Sequence, residues 1–184
     1  LLTAEGGTEY EHAVTLARSR DLLGPYEVHP QNPILTSSGN LELVLQKAGH
    51  ASLVETKEGE WYMPHLCGRP LPGSKNCNLG RETSIQKVEW RADDWLYLGG
   101  QGNNPLEEVP SPNLEVHKWP SLSERIPFDS PHYAIPRGPT NSVINLPQKL
   151  TLLGCESLES NFEQSMLARR LVNQQAVITT KMSF

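Results

Sequence analysis

The sequence predicts an all-β protein made of short antiparallel strands joined by turns. Proline (15 residues) and glycine (14 residues) are frequent in the 184-residue chain, whereas long stretches with helical periodicity are scarce. Apolar and aromatic runs recur with short connections between them, which is typical of β-hairpins. Because no helix is predicted between the hairpins, we expect antiparallel sheets arranged as a propeller or a sandwich.

The first part of the chain is predicted to be mostly extended. The run "HAVTLARS" (His12–Ser19) is short and rich in small and branched residues. A turn signal follows at Gly24-Pro25. Pro30 and Pro33 then keep the next stretch extended, because a residue that precedes proline disfavours the helical conformation.

Two hairpins are predicted in the middle of the chain. One spans Ser52–Leu66, where the runs "SLVET" and "WYMPHL" flank the turn "KEGE". The other spans Ser84–Leu98 and joins "SIQKVEW" to "WLYL" through residues 91–94. Pro64 lies inside a predicted strand, so we expect a bulge there or a position whose N–H group is not needed.

The chain changes character after Gly99. From there to about Pro120 it is rich in Gly, Pro, Asn and Ser, which predicts an irregular linker. Beyond the linker, "KLTLLG" (residues 149–154) and "AVITTKMSF" (residues 176–184) are predicted strands. We therefore expect one incomplete β domain, a linker, and the opening strands of a second domain.

The segment between these two strands is open to two interpretations. Its Leu158, Phe162 and Met166 have a helical spacing, but a strand beginning at Asn161 fits equally well. The strand is favoured because a β neighbour is predicted on each side.

Both ends of the sequence suggest a piece of a larger protein. The chain starts at Leu1 without an initiator Met and without the zones of a signal peptide. Its last residues are predicted to be a strand with nothing after it to pair with. Localisation signals could therefore lie outside the chain.

Bulk composition excludes two classes of partner. The formal net charge is -5 and no run of like charge stands out, whereas nucleic-acid binding needs a basic face. No apolar stretch approaches the length needed to cross a bilayer. We therefore predict neither nucleic-acid binding nor membrane insertion.

The three cysteines, Cys67, Cys77 and Cys155, leave a disulfide and a metal hypothesis open. Because the number of cysteines is odd, they cannot all be paired in disulfides. Cys67 and Cys77 could still form one disulfide if the loop between them folds back. Buried reduced thiols are the favoured interpretation, and they slightly favour the cytoplasm. A zinc site formed by His65, Cys67 and Cys77 has no CxxC or HxxxH pair to support it.

The stretch "LGRET" places Arg81 beside Glu82 directly before a predicted strand. Glu82 could be a catalytic acid, a carboxylate held by a neighbour, or a solvated surface charge. An adjacent Arg and Glu most often form a surface or structural pair, so the pair alone does not indicate catalysis.

Three long motifs resemble the later blades of family 43 glycoside hydrolases. They are "TAEGGTEYEHAVTLARSRDLLGPYEVHPQNPILT", "LQKAGHASLVETKEGEWYMPHLCGRPLP" and "CNLGRETSIQKVEW". Within the family they are most similar to the β-xylosidase and α-L-arabinofuranosidase branch. The tail "LTLLGCESLESNFEQSMLARR" is similar to the start of the β-sandwich that follows the propeller in these enzymes.

The resemblance implies an incomplete five-bladed β-propeller followed by the beginning of a β-sandwich domain. Residues 1–100 would form later blades, residues 101–125 a linker, and residues 126–184 the truncated start of the sandwich. The aromatic-rich strand expected to open the sandwich is not recognisable between Arg125 and Leu146.

The resemblance also implies an exo-acting, inverting hydrolase that releases xylose or arabinose from oligosaccharides. Its catalytic carboxylates would all lie before Leu1, so no catalytic residue is predicted in this chain. The alternative is a non-catalytic carbohydrate-binding or scaffolding remnant of such an enzyme. Members of the family often associate, so a homo-oligomer is an open expectation.

Three residues of this chain are predicted to bind substrate. The resemblance assigns Arg81 to the pocket, with Glu82 orienting Arg81 or pairing with the backbone. It places His50 near the pocket floor, where some members hold water or a calcium ion, although no cofactor is required. Ala48 replaces a residue that is often Cys there, which should matter little for chemistry.

Thr8 is the third candidate, because Gly6 and Gly7 could let the backbone approach the sugar. A plain glycine-rich turn explains the same residues equally well. Trp61 and Tyr62 invite a sugar-stacking interpretation, but their place within a hairpin favours core packing.

Overall fold

The computed structural model describes residues 1–100, 102–118, 132–135, 143–146, 149–162 and 164–183. Throughout these ranges the ordered elements are β-strands, and they contain no helix. No helix in the described ranges is therefore available to cross a membrane. The chain divides into two units, Leu1–Glu115 and Val116–Phe184. The predicted all-β class is confirmed for the described residues.

The first sheet of the N-terminal unit is organised around one strand. This strand is β2 (Ala13–Arg18), and it pairs antiparallel with β1 (Leu2–Glu5), β3 (Glu27–Val28) and β4 (Leu35–Thr36). Its apolar side chains Val14 and Leu16 are buried, whereas Thr15 between them is only half-buried. The alternation follows from the two-residue period of a strand, which sends successive side chains to opposite faces.

Asn32 completes the edge of β2 between its two short partners. Its Oδ1 accepts a hydrogen bond from the Leu16 N–H, and its Nδ2 donates to the Leu16 carbonyl, both at 2.9 Å. An amide side chain offers a donor and an acceptor, so it can replace a missing strand neighbour. The extended stretch predicted around Pro30 and Pro33 therefore contributes to the sheet through a side chain.

The second sheet contains both predicted hairpins. Its strands are β5 (Gln46–Gly49), β6 (Val54–Glu55), β7 (Trp61–Gly68), β8 (Glu82–Trp90) and β9 (Leu96–Leu98). The order across the sheet is β5-β7-β8-β9, and β6 also pairs with β7. The pairs β6–β7 and β8–β9 are antiparallel and confirm the hairpins predicted at Ser52–Leu66 and Ser84–Leu98.

Pro64 lies in β7 opposite the interval between β5 and β6. Its carbonyl accepts a hydrogen bond from the Ser52 N–H at 3.0 Å, so its ring nitrogen faces the same irregular stretch. Opposite this irregular stretch, residue 64 does not need to donate a backbone hydrogen bond to a neighbouring strand, so a proline is allowed. The second of the two predicted explanations for Pro64 is therefore correct.

One apolar core joins the two sheets of this unit. Val14, Leu16 and Leu35 from the first sheet pack in one cluster with Met63, Leu96 and other buried side chains of the second sheet. Trp61 packs against this cluster, and Tyr62 is 1% exposed. Core packing, the interpretation favoured for both aromatic residues, is confirmed.

The predicted linker is irregular in residues 102–118 but is bound to both sheets as far as residue 113. Asn103 and Asn104 donate side-chain hydrogen bonds to the carbonyls of Pro33 and Thr36, at 2.9 and 2.8 Å. Leu106 exchanges two bonds of 3.0 Å with the side-chain amide of Gln86. This segment therefore satisfies backbone groups that the short strands leave unpaired.

The C-terminal unit contains two small antiparallel pairs. One joins β10 (Tyr133–Ala134) to β13 (Ala168–Arg169), and the other joins β11 (Val143–Leu146) to β12 (Lys149–Leu152). The strand predicted in "KLTLLG" is thus confirmed. Most of the stretch between Arg125 and Leu146, where no aromatic-rich strand was recognisable in the sequence, lies outside the described residues.

Two predictions for this unit are wrong in part or entirely. The strand expected from Asn161 is formed only at Ala168–Arg169, and residues 158–162 and 164–166 are not helical. The strand expected in "AVITTKMSF" is absent from residues 176–183, where Val177 is 97% exposed. A β-prone run needs a partner strand and an apolar face to cover it, and this run has neither in the described residues.

All three cysteines are free thiols, but the favoured interpretation of buried thiols holds only for Cys67, because Cys77 is half-buried and Cys155 is exposed. Cys67 is buried in β7, whereas a Cβ added to the next residue, Gly68, would lie 3.0 Å from the Sγ of Cys77. Because neighbouring residues of a strand face opposite sides, Cys77 lies on the side away from the Cys67 side chain. This geometry disfavours the disulfide that the sequence left open.

Thiol reactivity should separate the three cysteines. Burial, with the nearby Glu82 charge, raises the pKa of Cys67 to about 11, and burial also raises the pKa of Cys77. Only the thiolate reacts, so at pH 8 we expect Ellman's reagent to modify the exposed Cys155 first and Cys67 only after denaturation. A Cys155→Ser variant should lack the fast phase. Fast reaction of Cys67 in the native chain would contradict this burial.

Candidate functional site

The predicted site residues lie on segments that meet at one end of the N-terminal unit. We call this the site end; it comprises residues 6–12, residues 47–50 and residues 75–81. Glu9 and Lys47 form an ion pair of 3.0 Å, and the Tyr10 hydroxyl donates to the Lys75 carbonyl at 3.0 Å. Lys47 and Lys75 also lie 5.0 and 5.6 Å from the centre of the Tyr10 ring. Tyr10 thus links all three segments.

Thr8 lies in the tight connection between β1 and β2. Gly6 has φ +72°, and a Cβ at that position would stand 2.0 Å from the Glu11 carbonyl oxygen, so only glycine fits. The His12 N–H closes the connection by donating to the Glu9 carbonyl at 3.2 Å. Thr8 is exposed on this loop. Its role in sugar binding stays a prediction.

His50 directly follows β5 and is exposed. It adopts φ +50°, and Lys47 adopts φ +57°, both in the left-handed region that side chains other than glycine rarely occupy. The pairing of β5 with β7 shifts register between Gln46 and Gly49. Residues 47–50, which we call the β5 bulge, therefore have a strained backbone of the kind that recurs at functional sites.

Arg81 is delivered by a glycine turn, as the sequence predicts. Gly80 has φ +71°, and its N–H donates to the Cys77 carbonyl at 3.0 Å. Arg81 is exposed at the start of β8. The prediction that Arg81 and His50 face one common cavity stays a prediction, and three clefts of this unit are lined by other residues.

His12 lies directly before β2, against residues 47 and 49, and was not predicted from the sequence as a site residue. It is 1% exposed, and burial lowers its pKa, an effect that the Lys47 carbonyl opposes. The charges of His50 and Arg81 lower the same pKa further. The sequence signal that was available was a histidine directly before an apolar strand. Taken alone, such a histidine is more often a core residue than a site residue.

Of the roles left open for Glu82, the structure supports a carboxylate held by a neighbour that the sequence did not identify. Its partner is Arg69, whose Nη2 lies 2.7 Å from Oε1 and whose Nε lies 3.1 Å from Oε2. The register of β7 and β8 explains this, because Glu82 is opposite Cys67 and Arg69 follows two residues later on the same face. Glu82 is therefore a structural carboxylate held in a two-pronged contact.

The site end offers little to a metal ion. The described ranges contain no group of three His, Cys, Asp or Glu residues that could hold one, which also removes support for the zinc hypothesis. Calcium prefers six to eight oxygen ligands, whereas His50 provides a single imidazole. The calcium expected near His50 stays a prediction, and no chemical step is derived from it.

Both parts of the chain match known protein families. Residues 1–96 match "Glycosyl hydrolases family 43", and residues 127–184 match "Beta xylosidase C-terminal Concanavalin A-like domain". The xylan 1,3-β-xylosidase of a Vibrio species is 45% identical and aligns with 100% of this chain and 37% of its own length. The xylosidase/arabinosidase 43B of Humicola insolens is also 45% identical, over 92% of this chain and 32% of its own.

A solved structure agrees with these matches. The xylan β-1,4-xylosidase of Bacillus halodurans C-125 shares 51% identity and superposes with a TM-score of 0.80. The alignment covers 92% of this chain and 34% of that one, so the chain spans about a third of the relatives it matches. Together with the all-β structure, these matches confirm the predicted fold class, part of a five-bladed β-propeller followed by part of a β-sandwich. The chain belongs to family 43 of the glycosyl hydrolases.

Proposed function

We propose that this chain is part of an exo-acting, inverting glycoside hydrolase that releases xylose or arabinose from plant-polysaccharide oligosaccharides. The main support is the order of the two family matches, a family 43 segment followed by a segment typical of β-xylosidases. The names of the relatives, a xylosidase and a xylosidase/arabinosidase, support the same class of substrate.

The proposed reaction needs two carboxyl groups that this chain does not contribute. One carboxylate activates water, and one carboxylic acid protonates the leaving oxygen on the other side of the sugar ring. In inverting enzymes these groups stand roughly 6.5–9.5 Å apart, which leaves room for the water. The resemblance to the family implies that both lie before Leu1, so we propose that this chain contributes to substrate binding.

Arg81 is the residue of this chain that we assign to the reacting sugar. Its guanidinium can donate two parallel hydrogen bonds to sugar hydroxyls or to a catalytic carboxylate. A positive charge beside the catalytic base would also lower the pKa of that base and keep it ionised. His50 and Thr8 add an imidazole and a hydroxyl at the same end of the unit.

Hydrolysis by the full-length parent protein tests this proposal. We expect release of nitrophenol from nitrophenyl β-xyloside, from nitrophenyl α-arabinofuranoside, or from both. Proton NMR of the reaction should show the α-anomer of xylose as the first product of the β-xyloside, because a single displacement inverts the anomeric carbon. A parent protein that is folded and inactive on both substrates, or that retains the configuration, would refute the proposal.

The non-catalytic alternative makes a different prediction about the parent. A carbohydrate-binding or scaffolding remnant would lack the earlier blades and therefore the catalytic carboxylates that they carry. The length of the reading frame and the intact mass of the purified protein distinguish the two cases. A product no longer than this chain would favour the remnant.

A further inference from the structure

We infer that His12 positions the candidate site by holding the β5 bulge in the conformation that presents His50. The inference rests on the proposed function, because it assigns His12 to the support of a sugar pocket and not to the chemistry. Three sets of contacts made by His12, together with the backbone of residues 47–50, support it.

The first contact is between the His12 ring and Gly49. A Cβ added to Gly49 would stand 2.4 Å from the Cδ2 of His12, 2.5 Å from Cγ and 2.6 Å from Nε2. These distances are far below any normal carbon contact, so the imidazole lies directly against the glycine backbone. Gly49 does not have the positive φ that would by itself require glycine. The His12 ring is therefore the reason that only glycine fits there.

The second contact joins His12 to the strained backbone before Gly49. Its Nδ1 lies 3.3 Å from the Lys47 carbonyl oxygen. A carbonyl only accepts hydrogen bonds, so Nδ1 bears the proton and Nε2 is unprotonated in the neutral ring. Lys47 has φ +57°, and a left-handed residue of this kind persists only where its surroundings hold it. The ring thus binds both ends of the turn that leads into His50.

The third set of contacts fixes His12 itself. Its N–H donates to the Glu9 carbonyl at 3.2 Å, and its own carbonyl accepts from the Thr36 hydroxyl at 2.8 Å. The residue is 1% exposed. Because both the N–H and the carbonyl of His12 are hydrogen-bonded, the position of the ring against β5 is fixed.

The neutral form of the ring suits this position. Burial and the charges of His50 and Arg81 lower the pKa of His12, so it is uncharged at neutral pH. A buried positive charge on this ring would be unfavourable, because burial penalises the charged form. A neutral His12 ring has one N–H group, and this is the group that donates to the Lys47 carbonyl.

The experiment compares four variants at His12 and Gly49. His12→Ala removes the ring, His12→Asn keeps an N–H donor near the place of Nδ1, and Gly49→Ala forces a methyl group against the ring. The fourth variant combines His12→Ala with Gly49→Ala. Readouts are kcat and KM of the full-length parent on the nitrophenyl glycosides, and the His50 ring resonance in the 184-residue chain, assigned with His50→Asn.

We expect His12→Ala and Gly49→Ala each to lower kcat/KM by about 10²-fold, because a 1 Å displacement of a site residue can cost that much. Each should also shift the His50 resonance. The double variant should be no worse than His12→Ala alone, since the methyl group then has no ring to meet. His12→Asn should recover at least about tenfold of the loss, because it restores the donor to Lys47.

His29→Asn is the matched control. His29 is also buried, at 2% exposure, and its Nδ1 accepts from the Gln31 N–H at 3.0 Å, but it packs on Trp95 and Tyr97. This variant should lower the unfolding temperature and leave kcat/KM and the His50 resonance unchanged. It separates a loss of stability from a loss of positioning.

The outcomes distinguish this inference from the proposed function. Additive losses in the double variant, or an unmoved His50 resonance in His12→Ala, would overturn the positioning role even in an active parent. A parent inactive on both glycosides would refute the proposed function. In that case the His50 resonance and the non-additivity of unfolding temperatures in the 184-residue chain would still decide whether His12 holds the bulge.

Discussion

We expect the isolated 184-residue chain to release no measurable nitrophenol from nitrophenyl β-xyloside or nitrophenyl α-arabinofuranoside. Inversion needs an acid and a base that act together, and each typically contributes 10²–10⁴-fold to the rate. Loss of both should therefore remove roughly 10⁴–10⁸-fold of the activity of the parent. The measurement is a side-by-side assay of the chain and the parent at equal molar concentration.

Three carboxylates near the predicted site are bound to structural partners. Glu82 is held by Arg69, Glu9 pairs with Lys47 at 3.0 Å, and Glu5 accepts from the Thr15 hydroxyl at 2.9 Å. A general acid must instead reach the leaving oxygen of the substrate with its proton. Glu11 and Glu55 are exposed, and the resemblance to the family predicts no catalytic role for either.

Glu82→Gln is the informative variant for this first prediction. It removes the charge that Arg69 holds but keeps the size of the side chain. If the chain alone hydrolysed a glycoside after repurification, and Glu82→Gln abolished that turnover, Glu82 would be the acid and the assignment would be wrong. Turnover that Glu82→Gln leaves unchanged would instead indicate a contaminating hydrolase.

The hairpins could be predicted from the sequence because their signals are local. Val54, Trp61 and Tyr62 lie on either side of a glycine turn, and the paired strands form where the alternation of apolar residues indicates. Pro64 could also be placed, since its missing N–H restricts it to a position that needs no ladder bond. The Gly80 turn before Arg81 is likewise fixed by glycine itself.

The remaining features depend on contacts between residues that are distant in sequence. The partner of Glu82 is Arg69, 13 residues away, and only the register of β7 and β8 brings the two together. His12 meets Gly49 across 37 positions, so its role could not be recognised from its neighbours in sequence. Residues 176–183 fail as a strand for the converse reason, because a favourable local composition has no partner to pair with.

The second large effect is expected for Arg81→Ala in the full-length parent. If Arg81 donates hydrogen bonds to the sugar or to the catalytic carboxylates, its loss should lower kcat/KM by about 10²–10³-fold, as loss of a single donor aimed at developing charge does in other enzymes. The loss should fall mainly on kcat if the contact strengthens in the transition state. Because Arg81 is exposed, the free energy of unfolding should change by no more than about 0.5 kcal/mol.

Two further variants make this prediction specific. Arg81→Lys keeps the positive charge but cannot form the two-pronged contact, so it should recover only part of the activity. Arg91→Ala is the matched control, since Arg91 is an exposed arginine of the same unit that pairs with Glu89 at 3.0 Å and stacks on Tyr97. It should leave kcat/KM unchanged. If Arg81→Ala stays within about threefold of the parent, a change too small for a lost transition-state contact, Arg81 does not bind the substrate. Arg81 would then serve only the structure of the site end.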